Sequence, residues 1–264
     1  MAAVAATGAW AAPDGSDRLA IVDRAIEHHG GDLYERSRTT LQLCSRSGCY
    51  DVESAIWRGW YSHTVERDRD DGRLSVQATN DWVRRWRDGE PVPVPPEEEQ
   101  RLRDFVMERV YFAFLPYRLN DPSARRWDQG VEEWEGRRLH RVKVTFEPGS
   151  STDAQDEFVY WFDLESGRLE QFAYTYDRGE GGLRFRRAVD HRRVGGILFF
   201  DQENLGVDGD GLSVDALDPD YVRDRLEPIS RVVLREVGVE PLEAPPYFVE
   251  PGRRRSRAEA PETR

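Results

Sequence analysis

Three stretches decide the fold: Arg137-Arg-Leu-His-Arg-Val-Lys-Val-Thr-Phe146, Asp156-Glu-Phe-Val-Tyr-Trp-Phe-Asp163 and Leu169-Glu-Gln-Phe-Ala-Tyr-Thr-Tyr-Asp177. Val142, Val144 and Phe146 alternate along the first, Phe158, Tyr160 and Phe162 along the second, and Phe172, Tyr174 and Tyr176 along the third. A period of two belongs to a strand, whose successive side chains point to opposite faces. The intervening positions carry Arg141, Lys143 and Thr145, then Glu157 and Asp163. The pattern predicts an antiparallel sheet with one aromatic face and one polar face. Ser166-Gly167 and Gly179–Gly182 mark turns, and the runs Leu183–Val194 and Ile197–Asp201 extend the sheet.

Upstream, short β-like runs follow one another at Thr39–Leu43, Tyr50–Trp57, Tyr61–Arg67, Arg73–Thr79 and Trp82–Arg87, with Asp71-Gly72 and Asp88-Gly89 as hairpin turns. Two helices interrupt the strands. Ser16–His29 has Ser16 as cap, Leu19, Val22 and Ile26 at helical spacing, Gly30-Gly31 as stop, and His28 and His29 where positive charge suits the dipole. Glu97–Leu115 has acids in its first turn and an apolar face at Leu102, Phe105, Val106, Val110 and Ala113. Pro91–Pro96 reads as a stiff connector, Asn204–Asp220 as loop, and Leu226–Val237 as an edge strand entered through Pro228. Consecutive hairpins leave no room for βαβ crossovers. The expected fold is mainly β (α+β): a curved antiparallel sheet with an N-terminal helix and a second helix over its concave face.

Fifty acidic side chains against 38 basic ones give a net charge of −12. That balance excludes a general nucleic-acid binder, which needs a concentrated basic surface. No run of about 18 apolar residues offers a membrane span. Eight Trp, ten Tyr and eleven Phe supply a core and argue against wholesale disorder. Lys143 is the sole lysine, a bias that a GC-rich coding sequence produces without any function.

Residues 1–15 read as the remnant of a secretory signal or as a flexible tail, with Ala9-Trp10-Ala11 in the small-x-small cleavage pattern and no basic residue before it. Residues 16–240 then form one β domain, and 241–264 an extended, disordered tail. Cys44 and Cys49 flank a four-residue hairpin loop, Ser45–Gly48, and can face one another at disulfide distance; two unpaired thiols are the alternative. A disulfide implies an oxidising compartment, so the expected location is periplasmic or secreted, with the cytoplasm still open.

Leu115-Pro-Tyr-Arg-Leu-Asn-Asp121, Phe158-Val-Tyr-Trp-Phe-Asp163, Ala173-Tyr-Thr-Tyr176 and Gly181-Gly-Leu-Arg-Phe-Arg186 follow at the spacing of a bacterial family of unknown function. His28-His29-Gly30-Gly31 and Arg193-Val-Gly-Gly-Ile197 also match, and the resemblance covers about residues 18–240. Its members are usually exported, and their fold is similar to that of the periplasmic lipoprotein carriers (LolA/LolB-like). The resemblance implies a half-open antiparallel barrel with helices across its mouth and an apolar interior. Cys44 and Cys49 depart from the family pattern.

No catalytic motif emerges: G-x-S-x-G, H-E-x-x-H, the P-loop and a helix-opening G-x-G-x-x-G are all missing. No catalytic residue, metal ligand or cofactor is assigned. Asp208–Asp215 is better read as turns than as a calcium loop, because Leu212 takes a ligand position. Lys143 could form Schiff bases if desolvated, but alternation puts it on the polar face, solvated and protonated. Asn120-Asp121-Pro122 reads as a turn.

Tyr160, Phe162, Tyr174 and Phe185, with Phe112, Leu115 and Tyr117 from the second helix and its exit, are expected to converge beneath that helix. Arg184 and Arg186, two apart on a strand, project from one face as a clamp for a head group or as cross-strand partners of Glu170. The reading is a non-enzymatic carrier or sensor of an apolar small molecule, lipid or acylated peptide, with peripheral contact to lipoproteins or a membrane. A filled core, an enzyme using Lys143, and an interaction scaffold with an open sheet edge are the alternatives. The sequence leaves the oligomeric state undefined.

Overall fold

The computed structural model describes residues 19–148, 156–176, 181–207 and 213–243. A first meander comprises β1 (Ser37–Ser45), β2 (Gly48–Trp57), β3 (Trp60–Arg69), β4 (Gly72–Thr79), β5 (Val83–Arg87) and β6 (Glu90–Val92). A second comprises β7 (Ala124–Trp134), β8 (Arg137–Phe146), β9 (Phe158–Asp163), β10 (Leu169–Tyr176), β11 (Gly182–Val194) and β12 (Ile197–Val207). The last strand, β13 (Leu226–Pro241), joins them. All thirteen form one open, curved antiparallel sheet in the order β6-β5-β4-β3-β2-β1-β13-β12-β11-β10-β9-β8-β7. The mainly β reading holds.

β13 is not the edge strand the sequence suggested. Its first half pairs with β12, from Leu226 opposite Val207 to Val232 opposite Gln202. Its second half pairs with β1, from Val233 opposite Cys44 to Pro241 opposite Ser37. Pro228 is tolerated in this central position because the register shifts between Asn204 and Leu205, opposite it. β7 was not foreseen, and Pro91 lies in the short β6 rather than in a free connector. The β1–β2 loop is also tighter than expected. Ser45 pairs with Gly48, Cys44 with Cys49, and a disulfide closes the pair at a Cα separation of 4.0 Å.

Helix α2 (Pro96–Ala113) leaves the β6 edge and crosses one face of the sheet toward β7. Leu102, Val106 and Val110 pack on Val52, Val65 and Val76 of the first meander. At the far end Tyr111 and Phe112 pack on the second. Helix α1 (Ala20–His29) lies on the same face of the second meander, with Ile21, Val22 and Ala25 against Phe162 and Phe172. Its cap position is Leu19, and Ser16 lies outside the described residues. Gly167, at φ +76, lets the β9–β10 turn approach the helix; a Cβ there would meet the Ala25 nitrogen at 3.2 Å.

His29 does not supply the helix with positive charge. It is fully buried, and burial, chiefly, lowers its pKa to about 3, so the ring is neutral. Nδ1 donates to the Leu198 carbonyl at 3.3 Å while Nε2 accepts the Leu169 amide at 3.2 Å. The ring therefore ties α1 to β12 and β10.

The second meander is buried on both faces, which corrects the one-sided reading. Opposite the helices, Val159, Trp161, Ala173 and Phe185 form another core with Val214, Leu217 and Val222. Val214 and Leu217 come from Asn204–Asp220, read as loop; its first residues, Asn204–Val207, instead complete β12, and it contains a 3₁₀ turn, Val214–Ala216, and leads into a one-turn helix α3, Pro219–Val222. The polar residues on this face tie it down. Arg141 donates to the Val214 carbonyl at 2.8 Å, and Lys143 pairs with Asp215 at 2.6 Å and Glu157 at 3.0 Å.

The remnant signal, the tail beyond Glu243 and the Asp208–Leu212 part of the calcium-like stretch lie outside the described residues. No helix among the described residues is long and apolar enough to cross a membrane.

Candidate functional site

A cleft of about 930 Å³ runs along α2 between the helix and the rims of both meanders. Gln100, Asp104, Met107 and Tyr111 recur on one side of α2 and form its floor. One end is walled by Ile56, Gly59, Tyr61 and Asn80 of the first meander. The other end is aromatic, with Phe146, Phe158, Tyr174 and Tyr176 of the second meander, and Phe112 and Tyr117.

The aromatic end is preorganised by ring packing. Tyr174 stacks on Phe158 at 5.4 Å, and Phe112 sits 5.3 Å from Tyr174 and 6.0 Å from Phe172. The Tyr111 and Tyr160 hydroxyls hydrogen-bond at 2.6 Å. Burial, first of all, raises both phenols above their ordinary pKa, so they stay neutral. Tyr117 stacks on Tyr34 at 4.7 Å and donates to Glu35 at 3.2 Å, closing that end against the 3₁₀ turn Gly31–Arg36 that precedes β1.

Of the residues expected around a cavity, Phe112, Tyr117, Tyr174 and Arg184 line the cleft. Leu115, Tyr160 and Phe162 lie one layer deeper, at most 1% exposed in the core beneath it. Phe185 lies on the opposite face. It pairs with Ala173 across β10–β11 and is covered by the 213–226 segment. Alternation makes this necessary, because Arg184 and Arg186 then share the face of Tyr174 and Phe172.

The two arginines do not act as a matched clamp. Arg184 lies over the Tyr176 ring at 4.5 Å, whereas Arg186 donates to Gln202 at 3.0 Å and to the Tyr174 hydroxyl at 2.9 Å. Neither needs Glu170, whose carboxylate pairs with Arg137 and Arg168. Asp121 behaves as a turn-former, accepting from the Ser123 amide and hydroxyl at 2.9 and 2.7 Å.

Lys143 is better paired than a solvated lysine. Burial alone would lower its pKa, but the hydrogen bonds to Asp215 and Glu157 outweigh it and raise the pKa. It lies on the face opposite the cleft.

Sequence reasoning missed the whole first-meander wall and the polar floor of α2. The signal was present in Gln100, Asp104, Met107 and Tyr111, which follow a helical period beside the apolar stripe.

An open antiparallel sheet wrapped on a helix, with a mixed aromatic and polar cleft between them, defines a mainly β fold built on a single sheet. Within it, the chain belongs to a family of unknown function (DUF6503), whose profile matches residues 70–232. No curated protein matches the sequence. Among solved structures it is similar to a LolA superfamily protein from Nitrosomonas europaea, with TM-score 0.49, 9% identity and coverage of 84% of this chain and 93% of that one. It is also similar to a DUF1329 family protein from Desulfovibrio piger, with TM-score 0.47, 11% identity and coverage of 83% and 91%. A domain from Vibrio parahaemolyticus described as an outer membrane lipoprotein-sorting protein gives TM-score 0.46 and 10% identity, covering 83% and 91%.

Proposed function

We propose that this protein is a non-catalytic carrier or sensor that holds an alkyl or acyl chain in the cleft along α2. The observation that carries this reading is the cleft itself, about 930 Å³ and walled at one end by stacked aromatic rings. Such a wall offers dispersion contact without hydrogen-bonding demands, the usual composition of a site for an apolar guest. Each buried methylene gains about 0.8 kcal/mol, so about sixteen of them supply about 13 kcal/mol, which leaves micromolar affinity after an ordering cost of about 4–5 kcal/mol. Among the described residues nothing at this end resembles a nucleophile–base pair, and the sole lysine is ion-paired on the other face. The Cys44–Cys49 disulfide supports an exported protein, working in an oxidising compartment near lipids or lipoproteins.

The test is a titration with a fluorescent alkyl probe carrying a neutral head, on wild type and on Tyr174→Arg, each shown to be folded by circular dichroism. Saturable micromolar binding, weakened about tenfold or more by the arginine, is expected. A folded wild type that binds nothing well above that range makes the cleft a mere surface groove. Native mass spectrometry of the same sample reads any co-purified lipid and the two hydrogens lost in the disulfide.

A further inference from the structure

The polar end of the cleft contains a carboxylate that the fold leaves half satisfied. Asp104 lines the cleft yet is only 8% exposed. Its Oδ1 accepts from Gln100 Nε2 at 2.9 Å, one helical turn away. Its Oδ2 is buried and accepts no hydrogen bond from any described residue. An ionised carboxylate drawn out of water is costly unless a donor or cation meets it.

The cations nearby are committed elsewhere. Arg103 donates to the Thr79 carbonyl at 2.6 Å and to the Tyr61 hydroxyl at 3.1 Å. Arg118 pairs with Asp121 at 3.1 Å, and Arg184 lies against Tyr176. Of the six acidic side chains lining the cleft, Glu108, Asp121 and Glu147 are paired with Arg109, Arg118 and Arg125, whereas Asp104 is met by no cation among the described residues, so the uncompensated charge at this end is negative. Tyr61 and Tyr111 also line the cleft, and aromatic rings attract cations.

We infer that Asp104 is the head-group anchor of this cleft, and that the chain-bearing ligand carries a positively charged amine. This deepens the carrier reading and rests on it. Asp104 and Tyr111 stand seven residues apart on α2, about 10 Å along its axis. A medium-length alkyl chain with its ammonium against Asp104 therefore reaches the aromatic end. An anionic head would meet the same unpaired carboxylate and be repelled.

The experiment is calorimetric titration of the full chain with decylamine, decanol and decanoate, below the concentrations at which they self-associate. Decylamine should bind about tenfold tighter than decanol, and decanoate more weakly than both. Added salt should weaken the amine alone. Asp104→Asn, which keeps the shape and removes the charge, should abolish the difference between amine and alcohol. Equal binding of amine and alcohol in the wild type overturns the inference without any variant, and so does a preference for decanoate. An equal loss of all three ligands in folded Asp104→Asn likewise overturns it, since that marks a packing role. Binding of decanol without an advantage for decylamine defeats only the Asp104 assignment. If none of the three binds, the carrier reading fails with it.

Discussion

In the first meander the residues facing away from α2 include Thr64, Ser75 and Gln77; in the second, the same face carries Val159, Trp161, Ala173 and Phe185 beneath Val214, Leu217 and Val222. Both halves are built from antiparallel hairpins, and both present apolar side chains to the helices. The difference is a second core layer in one of them. The first meander's outer face is closed by polar side chains instead, with Ser75 and Gln77 buried there. The half with the second apolar core carries the stacked aromatic end of the cleft, and the other half carries its polar rim. Each end of the cleft thus inherits its chemistry from the half that builds it.

The largest expected effect tests that second layer. Trp161 is fully buried there, with its indole nitrogen donating to Glu132 at 2.8 Å. Trp161→Ala should cost about 3–5 kcal/mol, from lost transfer energy plus the cavity left behind. Gln77→Ala, at a buried polar position of the first meander bonded to Ser62 at 2.8 Å, should cost about 1 kcal/mol. Urea denaturation of both variants reads the contrast. Equal losses would mean that the second apolar core adds no more to stability than the polar contacts of the first meander.

The same contrast explains what could be read from the sequence. Strict alternation at Val142, Val144 and Phe146 gave the helix-facing side of β8 correctly, because its other side carries Arg141 and Lys143. Phe158–Phe162 is instead one continuous apolar run, the mark of a strand buried on both faces, and it was assigned a single face. Phe185 is expected on the cavity side, but alternation within Leu183–Arg186 fixes only that it opposes Arg184 and Arg186, and it is the arginines that share the face of Tyr174 and Phe172. The covering segment was unreadable because Val214, Leu217 and Val222 are spread through Asp, Gly and Pro, which locally signal loop. Asp104 went unnoticed because a carboxylate on an acidic helix looks solvated until the rims of both meanders close around it.

A second comparison sets one buried histidine against another. His29 in the second half has both ring nitrogens bonded, whereas His63 in β3 is fully buried with neither nitrogen bonded to a described residue. His29→Phe should cost about 1–3 kcal/mol, because it leaves the Leu169 amide and Leu198 carbonyl unpaired. His63→Phe, which removes two unpaired polar atoms from a site stacked on Tyr61, should be neutral or stabilising. Burial, before all else, depresses both folded-state pKa values, to about 3 for His29 and well below the ordinary value for His63. The unfolded chain then binds more protons below about pH 6.5, so stability falls as pH falls from there toward 3. Each ring contributes up to about 1.4 kcal/mol per pH unit to that slope. Urea midpoints measured from pH 7 to 4 should flatten in either variant, and an unchanged slope would show that the ring in question is not buried neutral.

The smallest effect concerns what holds the covering segment in place. Lys143 reaches Asp215 and Glu157 from β8, but those carboxylates are 49% and 37% exposed. Solvent screens such pairs, so Lys143→Met should cost no more than about 1 kcal/mol. Leu217→Ala, in the apolar underside of the same segment, should cost about 2–5 kcal/mol, because it opens a cavity in the second core. If the lysine variant is the more damaging, ionic ties rather than burial hold the segment on the sheet, and the asymmetry of the two halves has a different origin. Lys143 chemistry gives an independent reading of the same pairs. With its pKa held above the ordinary lysine value, the amine is protonated at neutral pH, and borohydride reduction with small aldehydes should leave little adduct on it. Ready labelling at pH 7 would mean that Asp215 and Glu157 are not paired with it in solution, and that the segment lifts away from β8.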